Sequence, residues 1–291
     1  MRGPDASPAI RADMPQSAAV ASLARSAFGS ALLVAVSVLA FAPPADAAPP
    51  WVDRHIVLPR HNFAFDAGLG IGHVEGFDES VNGVGINLEG AFGITERLEL
   101  GFRTGLRFGN EGRFTGADFY GRLWDTDTYN VGTDTVANPE ARLRYGLLGN
   151  DVVELGLEAR FWLPVADNTG FGVAPGVPIM FHFGDVARLD TGLLVPIIFD
   201  DNDDNDDDTV TIISVPARLW FQASDRLWLG PISGVRVVNP GNDTQVPLGF
   251  GLGYQISSAV DFKSQFLFPD VARDNATDVF GVGAGVQFRV E

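Results

Sequence analysis

The chain has 291 residues, a formal net charge of −17, 34 glycines, 22 phenylalanines and no cysteine. The absence of cysteine excludes disulfides and any lipid anchor attached through a thiol. The strong negative charge argues against electrostatic binding of nucleic acid. This length suits one large all-β domain or two smaller domains.

The amino-terminal region predicts export. Residues 26–42 form an uncharged apolar run that follows Arg25 and precedes a small-residue triplet, 45–47. This pattern is typical of a secretory signal peptide cleaved after Ala47. A retained membrane helix is the alternative, but the run is short for a full span. We therefore predict a signal peptide over 1–47 and a periplasmic lead-in over 48–62.

The segment 92–108 contains the unit that repeats along the rest of the chain. After a short turn, apolar and polar residues alternate strictly, which indicates an extended strand with two different faces. Its outward row is Leu98, Leu100, Phe102, Leu106 and Phe108. Repeated turns followed by alternating strands are typical of a β-strand array.

Twelve such segments follow one another over residues 63–291. They are 63–72, 83–92, 97–108, 137–147, 152–163, 175–183, 188–199, 210–221, 226–238, 246–255, 260–268 and 279–290. The connections alternate between short turns and long loops, as in outer-membrane barrels. The sequence therefore predicts an all-β, transmembrane, antiparallel up-and-down β-barrel of about 12 strands.

The outward faces favour a membrane barrel over a soluble sandwich. The segments at 152–163, 246–255 and 279–290 present uninterrupted apolar rows, as contact with lipid requires. Aromatic residues cluster near both strand ends, which matches the two membrane interfaces. A soluble core would not require this sorting.

These features resemble those of bacterial outer-membrane β-barrel proteins, particularly porin-like and transporter-like ones. The resemblance rests on the signal peptide, the twelve alternating strands and turns such as the one at 93–96. It implies location in the bacterial outer membrane, contact with its lipid and insertion by the barrel-assembly machinery. Such barrels commonly end on an aromatic residue, whereas this chain ends Phe288-Arg289-Val290-Glu291; Phe288 is expected to serve instead.

The predicted inner faces differ around the barrel. Three strands carry a charged wall, which we predict to line a pore: Glu99, Arg103, Arg107, Glu140, Arg142, Arg144, Glu154, Glu158 and Arg160. A glycine wall is expected roughly opposite, with room beside it: Gly68, Gly70, Gly72, Gly249, Gly251, Gly253, Gly281, Gly283 and Gly285.

Three interpretations of that room stay open. The first is a narrow aqueous pathway that selects small solutes by charge and width. The second is a plug formed by a segment such as the long loop 109–136. In the third, the charged residues pair and fill the interior, since buried arginines need partners in every case.

The run 200–208 contains seven aspartates and two asparagines between two strands, and is therefore expected to be an external loop. Its default interpretation is a solvated, self-repelling tip. Weak Ca²⁺ binding is the alternative, because aspartate oxygens suit that ion; its ligands would be Asp201, Asp203, Asp204, Asp206 and Asp207. The spacing is not that of an EF-hand. Apart from this loosely bound Ca²⁺, no cofactor is expected.

No common catalytic motif is present, and we predict that the protein is not an enzyme. The favoured function is a passive outer-membrane channel for small polar or charged solutes. The alternative is a non-conducting surface barrel whose acidic external loops bind divalent cations or partners. The two differ in whether the barrel conducts ions.

Overall fold

The computed structural model describes residues 49–75, 80–109, 136–165, 171–199, 209–240, 243–273 and 276–290. A short 3₁₀ helix, Trp51–Asp53, precedes fourteen strands. They are β1 (Phe63–Glu75), β2 (Ser80–Thr95), β3 (Leu98–Gly109), β4 (Val136–Gly149), β5 (Val153–Trp162), β6 (Phe171–Phe183), β7 (Ala187–Leu194), β8 (Ile197–Phe199), β9 (Thr209–Gln222), β10 (Leu227–Val238), β11 (Asp243–Gln245), β12 (Leu248–Ser257), β13 (Val260–Phe268) and β14 (Val279–Val290).

The fourteen strands make twelve passes of one closed sheet. Strands β7 and β8 both lie between β6 and β9, so they form one interrupted pass. Strands β11 and β12 likewise both pair with β10. Antiparallel pairing of β1 with β14 closes the barrel. The predicted all-β, twelve-pass antiparallel barrel is confirmed.

The two faces of the sheet separate as the alternation predicts. In β5, Glu154, Gly156, Glu158, Arg160 and Trp162 are buried, and the residues between them are half-buried or exposed. Along the strands, many large apolar side chains are exposed on the outer face, such as Phe102, Leu157 and Phe250. This arrangement places the charges inside and the apolar belt outside. Among the described residues, no helix is long and apolar enough to cross a membrane.

The prediction of a periplasmic lead-in does not give its depth, and in the structure the lead-in lies inside the lumen of the barrel. Residues 49–62 enter the lumen at the end where the short turns lie, and Val52 is fully buried there. Trp51 stacks on Trp228 of β10, with 4.8 Å between ring centroids, and meets Trp220 of β9 edge-on. The sequence does not indicate this depth, because the lead-in has no periodicity and the barrel side chains that it meets by hydrogen bonds lie 41 to 207 positions away in sequence.

The expected room along the glycine wall is partly filled. A Cβ atom at Gly253 would lie 2.1 Å from the Trp228 ring, and one at Gly251 would lie 2.7 Å from the Trp220 ring. The absence of a side chain at these two glycines of β12 therefore leaves space for the rings of Trp228 of β10 and Trp220 of β9. With Ile232 and Leu267, the tryptophans form an apolar cluster inside the barrel. The glycines of β1 and β14 lie directly opposite one another in the sheet.

Candidate functional site

The predicted charged wall on β3–β5 is a chain of ion pairs. Arg142 lies 2.9 Å from Glu99 and 3.2 Å from Glu89 of β2. Further along, both Arg144 and Arg160 lie 2.5 Å from Glu158. Because adjacent strands pair in register, these inward residues are brought side by side.

The wall continues toward the loop end of the barrel. Glu140 lies 3.7 Å from Arg103 and 4.0 Å from Arg160. Both Arg103 and Glu140 are buried. The backbone of Arg107 belongs to β3, but its side chain lies outside the described atoms, so its predicted place in the wall stays a prediction.

Six of the nine predicted wall residues line one of two cavities. Five of them line a central cavity of about 350 Å³: Glu99, Arg142, Arg144, Glu158 and Arg160. Glu154 lines a second cavity of about 820 Å³ at the turn end. His55 and Ile56 of the lead-in line both cavities, so the lead-in forms the partition between them.

Charge is not confined to one wall, which corrects the expected division. Arg188 lies 2.8 Å from Asp190 on β7, and Asp66 of β1 pairs with Lys263 of β13. Asp261, fully buried, accepts hydrogen bonds from both Arg289 and Arg54. None of these residues belongs to the predicted charged wall, although each barrel residue among them has the inward parity of its strand.

The lead-in is bound mainly through its peptide backbone. Arg188 donates to the carbonyl oxygens of Trp51 (2.7 Å) and Arg54 (3.2 Å). Three other barrel side chains bind further backbone groups. His182 contacts the Val52 oxygen, Arg144 donates to the Ile56 oxygen, and Glu154 accepts from the Ile56 nitrogen. Glu99 accepts from the Leu58 nitrogen at 2.9 Å.

Two lead-in side chains add contacts of their own. Arg54 reaches both oxygens of Asp261, at 2.6 and 3.2 Å, and lies over the Trp51 ring. The His55 ring lies 2.8 Å from Glu154, which is also 3.0 Å from His182. The sequence offered no partner for His182, since Glu154 is near it only in the folded sheet.

The predicted Ca²⁺ ligands at 201–207 lie outside the described residues, so that site stays a prediction. Within the described ranges, no cluster of three or more His, Asp or Glu side chains is placed to hold a metal ion.

The architecture is that of the outer-membrane β-barrel class. Two solved structures share it: the NanC porin and the COG4313 outer membrane channel from Pseudomonas putida F1. The NanC porin has a TM-score of 0.54 and 10% identity, over 77% of this chain and 100% of that one. The second has a TM-score of 0.52 and 12% identity, over 86% and 100%. No family model and no curated protein matches the chain. The likeness confirms the predicted resemblance in fold.

The buried lead-in makes a direct prediction about chemical labelling. The chain has no cysteine, so Val52→Cys introduces a single thiol. Val52 is fully buried inside the lumen, and we expect that thiol to resist a membrane-impermeant maleimide in the folded protein. Val152→Cys is the matched control, because Val152 is 64% exposed at the same end of the barrel. Equal labelling of the two variants would place the lead-in outside the lumen.

Proposed function

We propose that this protein is a bacterial outer-membrane channel for small polar or charged solutes, with a preference for anions. The carrying observation is the central cavity, which is lined by eight Arg or Lys side chains against five Asp or Glu. Asp261 lies behind this lining and pairs with Arg54 and Arg289, so an excess of two positive charges is left in a chain whose net charge is −17. A water-filled constriction with such an excess attracts anions and repels cations.

The lead-in adds a restriction at the turn end. In outer-membrane barrels the short turns face the periplasm, so the lead-in narrows the periplasmic mouth. Solutes that enter from the loop end meet the central cavity first and the partition formed by His55 and Ile56 next. We therefore expect a small unit conductance rather than that of a wide general porin.

Reconstitution into planar bilayers tests the proposal. We expect small stepwise conductances with anions more permeant than cations. Replacing both Arg142 and Arg144 with Ala removes two positive charges from the cavity lining and should shift the selectivity toward cations. Arg226→Ala is the control, since Arg226 is exposed in a turn outside the cavity.

Two outcomes would contradict this function. A folded barrel that never conducts would favour the non-conducting surface barrel with binding loops. A conducting barrel whose selectivity is the same in the double variant and the wild type would show that this wall does not line the path.

A further inference from the structure

The way in which the barrel holds its lead-in indicates a ligand class. Six hydrogen bonds join side chains of the barrel strands to backbone atoms of residues 51–58, and their lengths are 2.7–3.2 Å. Carboxylates accept from peptide N–H groups, and arginines donate to peptide C=O groups. Bonds of this kind recognise a peptide main chain irrespective of the side chains it carries.

Two side-chain subsites flank these backbone contacts. Trp228 and Trp220 provide an aromatic pocket for Trp51. Three residues further on, Arg54 meets the buried Asp261. Stacking and a charge-assisted pair are both energetically substantial when they are shielded from water. The pattern selects an aromatic residue followed at the third position by a basic one.

We propose that the turn-end half of the lumen is a peptide-binding site that the lead-in occupies in cis. A free oligopeptide with an aromatic residue and a basic residue three positions later is the competing ligand. This inference deepens the proposed function by naming a solute class, and it rests on that function only for passage through the membrane. Binding itself is measured without transport.

The binding of the tethered lead-in to the lumen must be weakened before a free peptide can compete with it. A segment joined directly to β1 has an effective concentration in the millimolar range. Gly93→Ala weakens it selectively, because the new Cβ would lie 2.0 Å from the Pro59 oxygen and 2.7 Å from the Leu58 oxygen. Gly90→Ala in the same strand is the control, since its Cβ meets only the Phe63 ring at an ordinary 3.7 Å.

The experiment measures binding of a labelled synthetic peptide with the sequence of residues 49–60 to the detergent-solubilised full chain. We expect saturable binding to the Gly93→Ala protein, at least about tenfold tighter than to the Gly90→Ala protein. Methylating the peptide nitrogens that correspond to Ile56 and Leu58 should weaken binding at least about a hundredfold, because two hydrogen bonds to carboxylates are lost. Replacing the peptide tryptophan with alanine should also weaken it.

Two results would overturn the proposal: no saturable binding to a folded variant whose lead-in is released, or binding that N-methylation leaves unchanged. Release is verified by maleimide labelling of Val52→Cys in the same background. If Gly93→Ala does not fold, the double variant Trp51→Ala and Arg54→Ala weakens the hold on the lead-in at both side-chain subsites and leaves the barrel wall intact. A protein that conducts ions but binds no peptide would contradict only this inference. A barrel that binds peptide but does not conduct ions would contradict only the proposed channel function.

Discussion

Gly93→Ala is expected to raise the single-channel conductance several-fold. Gly93 lies near the end of β2, where its N–H donates to the Asn62 oxygen at 2.9 Å and its oxygen accepts from the His61 nitrogen at 2.7 Å. The lead-in crosses so closely that a methyl group has no room. Contacts of 2.0 Å with backbone atoms cannot be relieved by a change of rotamer, so one of the two segments must move.

The lead-in is the segment that moves more easily. Strand β2 is held by ladders to both β1 and β3, whereas the lead-in has the irregular backbone of a loop. Its withdrawal joins the central cavity to the turn-end cavity, because His55 and Ile56 no longer separate them. The measurement is the unit conductance in planar bilayers at fixed salt.

Gly90→Ala is the control for this prediction and should conduct like the wild type. If Gly93→Ala folds and its conductance also equals that of the wild type, the lead-in does not restrict the path. If Gly90→Ala alone opens the channel, the effect belongs to β2 and not to the lead-in.

The barrel could be predicted because the sequence of each strand alternates between apolar residues that face outward and polar or small residues that face the lumen. In β3, Leu100 and Phe102 are exposed on the outer surface, while Glu99 before them and Arg103 after them are buried. A period of two therefore identifies both the strand and its inward face. The breaks within the β7–β8 and β11–β12 passes could not be predicted in this way, since they leave that period intact.

The interior could be predicted only in part, because it depends on contacts across the lumen. Parity places Glu99 and Arg142 on the inner face, but nothing local indicates that Glu99 also binds the Leu58 nitrogen. Arg54 and Asp261 are 207 positions apart. Only closure of the barrel brings such residues together, so the internal position of the lead-in has no sequence signal of its own.

The glycine wall shows the same limit. The alternation in β12 correctly places Gly251 and Gly253 on the inner face. The simplest interpretation of these small residues is unfilled space beside them in the lumen. The rings of Trp220 and Trp228, which start on neighbouring strands, extend sideways over those glycines. A large side chain can fill the space next to other strands than its own. Assigning the inward residues of each strand separately does not reveal this.

Asp261→Asn is expected to be strongly destabilising, because this carboxylate balances two guanidinium groups inside the barrel. Asp261 is fully buried, with Arg54 at 2.6 Å and Arg289 at 3.3 Å. Removing one partner of a buried ion pair costs about 3–5 kcal/mol of folding free energy, since the remaining charge stays desolvated. Denaturant unfolding in lipid vesicles should show this loss as a lower midpoint.

The exposed Asp225 supplies the control, and Asp225→Asn should change the free energy of unfolding by less than about 0.5 kcal/mol. Adding Arg54→Met to Asp261→Asn should restore part of the loss, because one of the two unpaired charges is then removed. The coupling between the two sites should be about 0.5–3 kcal/mol. Strictly additive effects would mean that Arg54 does not depend on Asp261, and that the lead-in is held by its backbone contacts and the tryptophan stack alone.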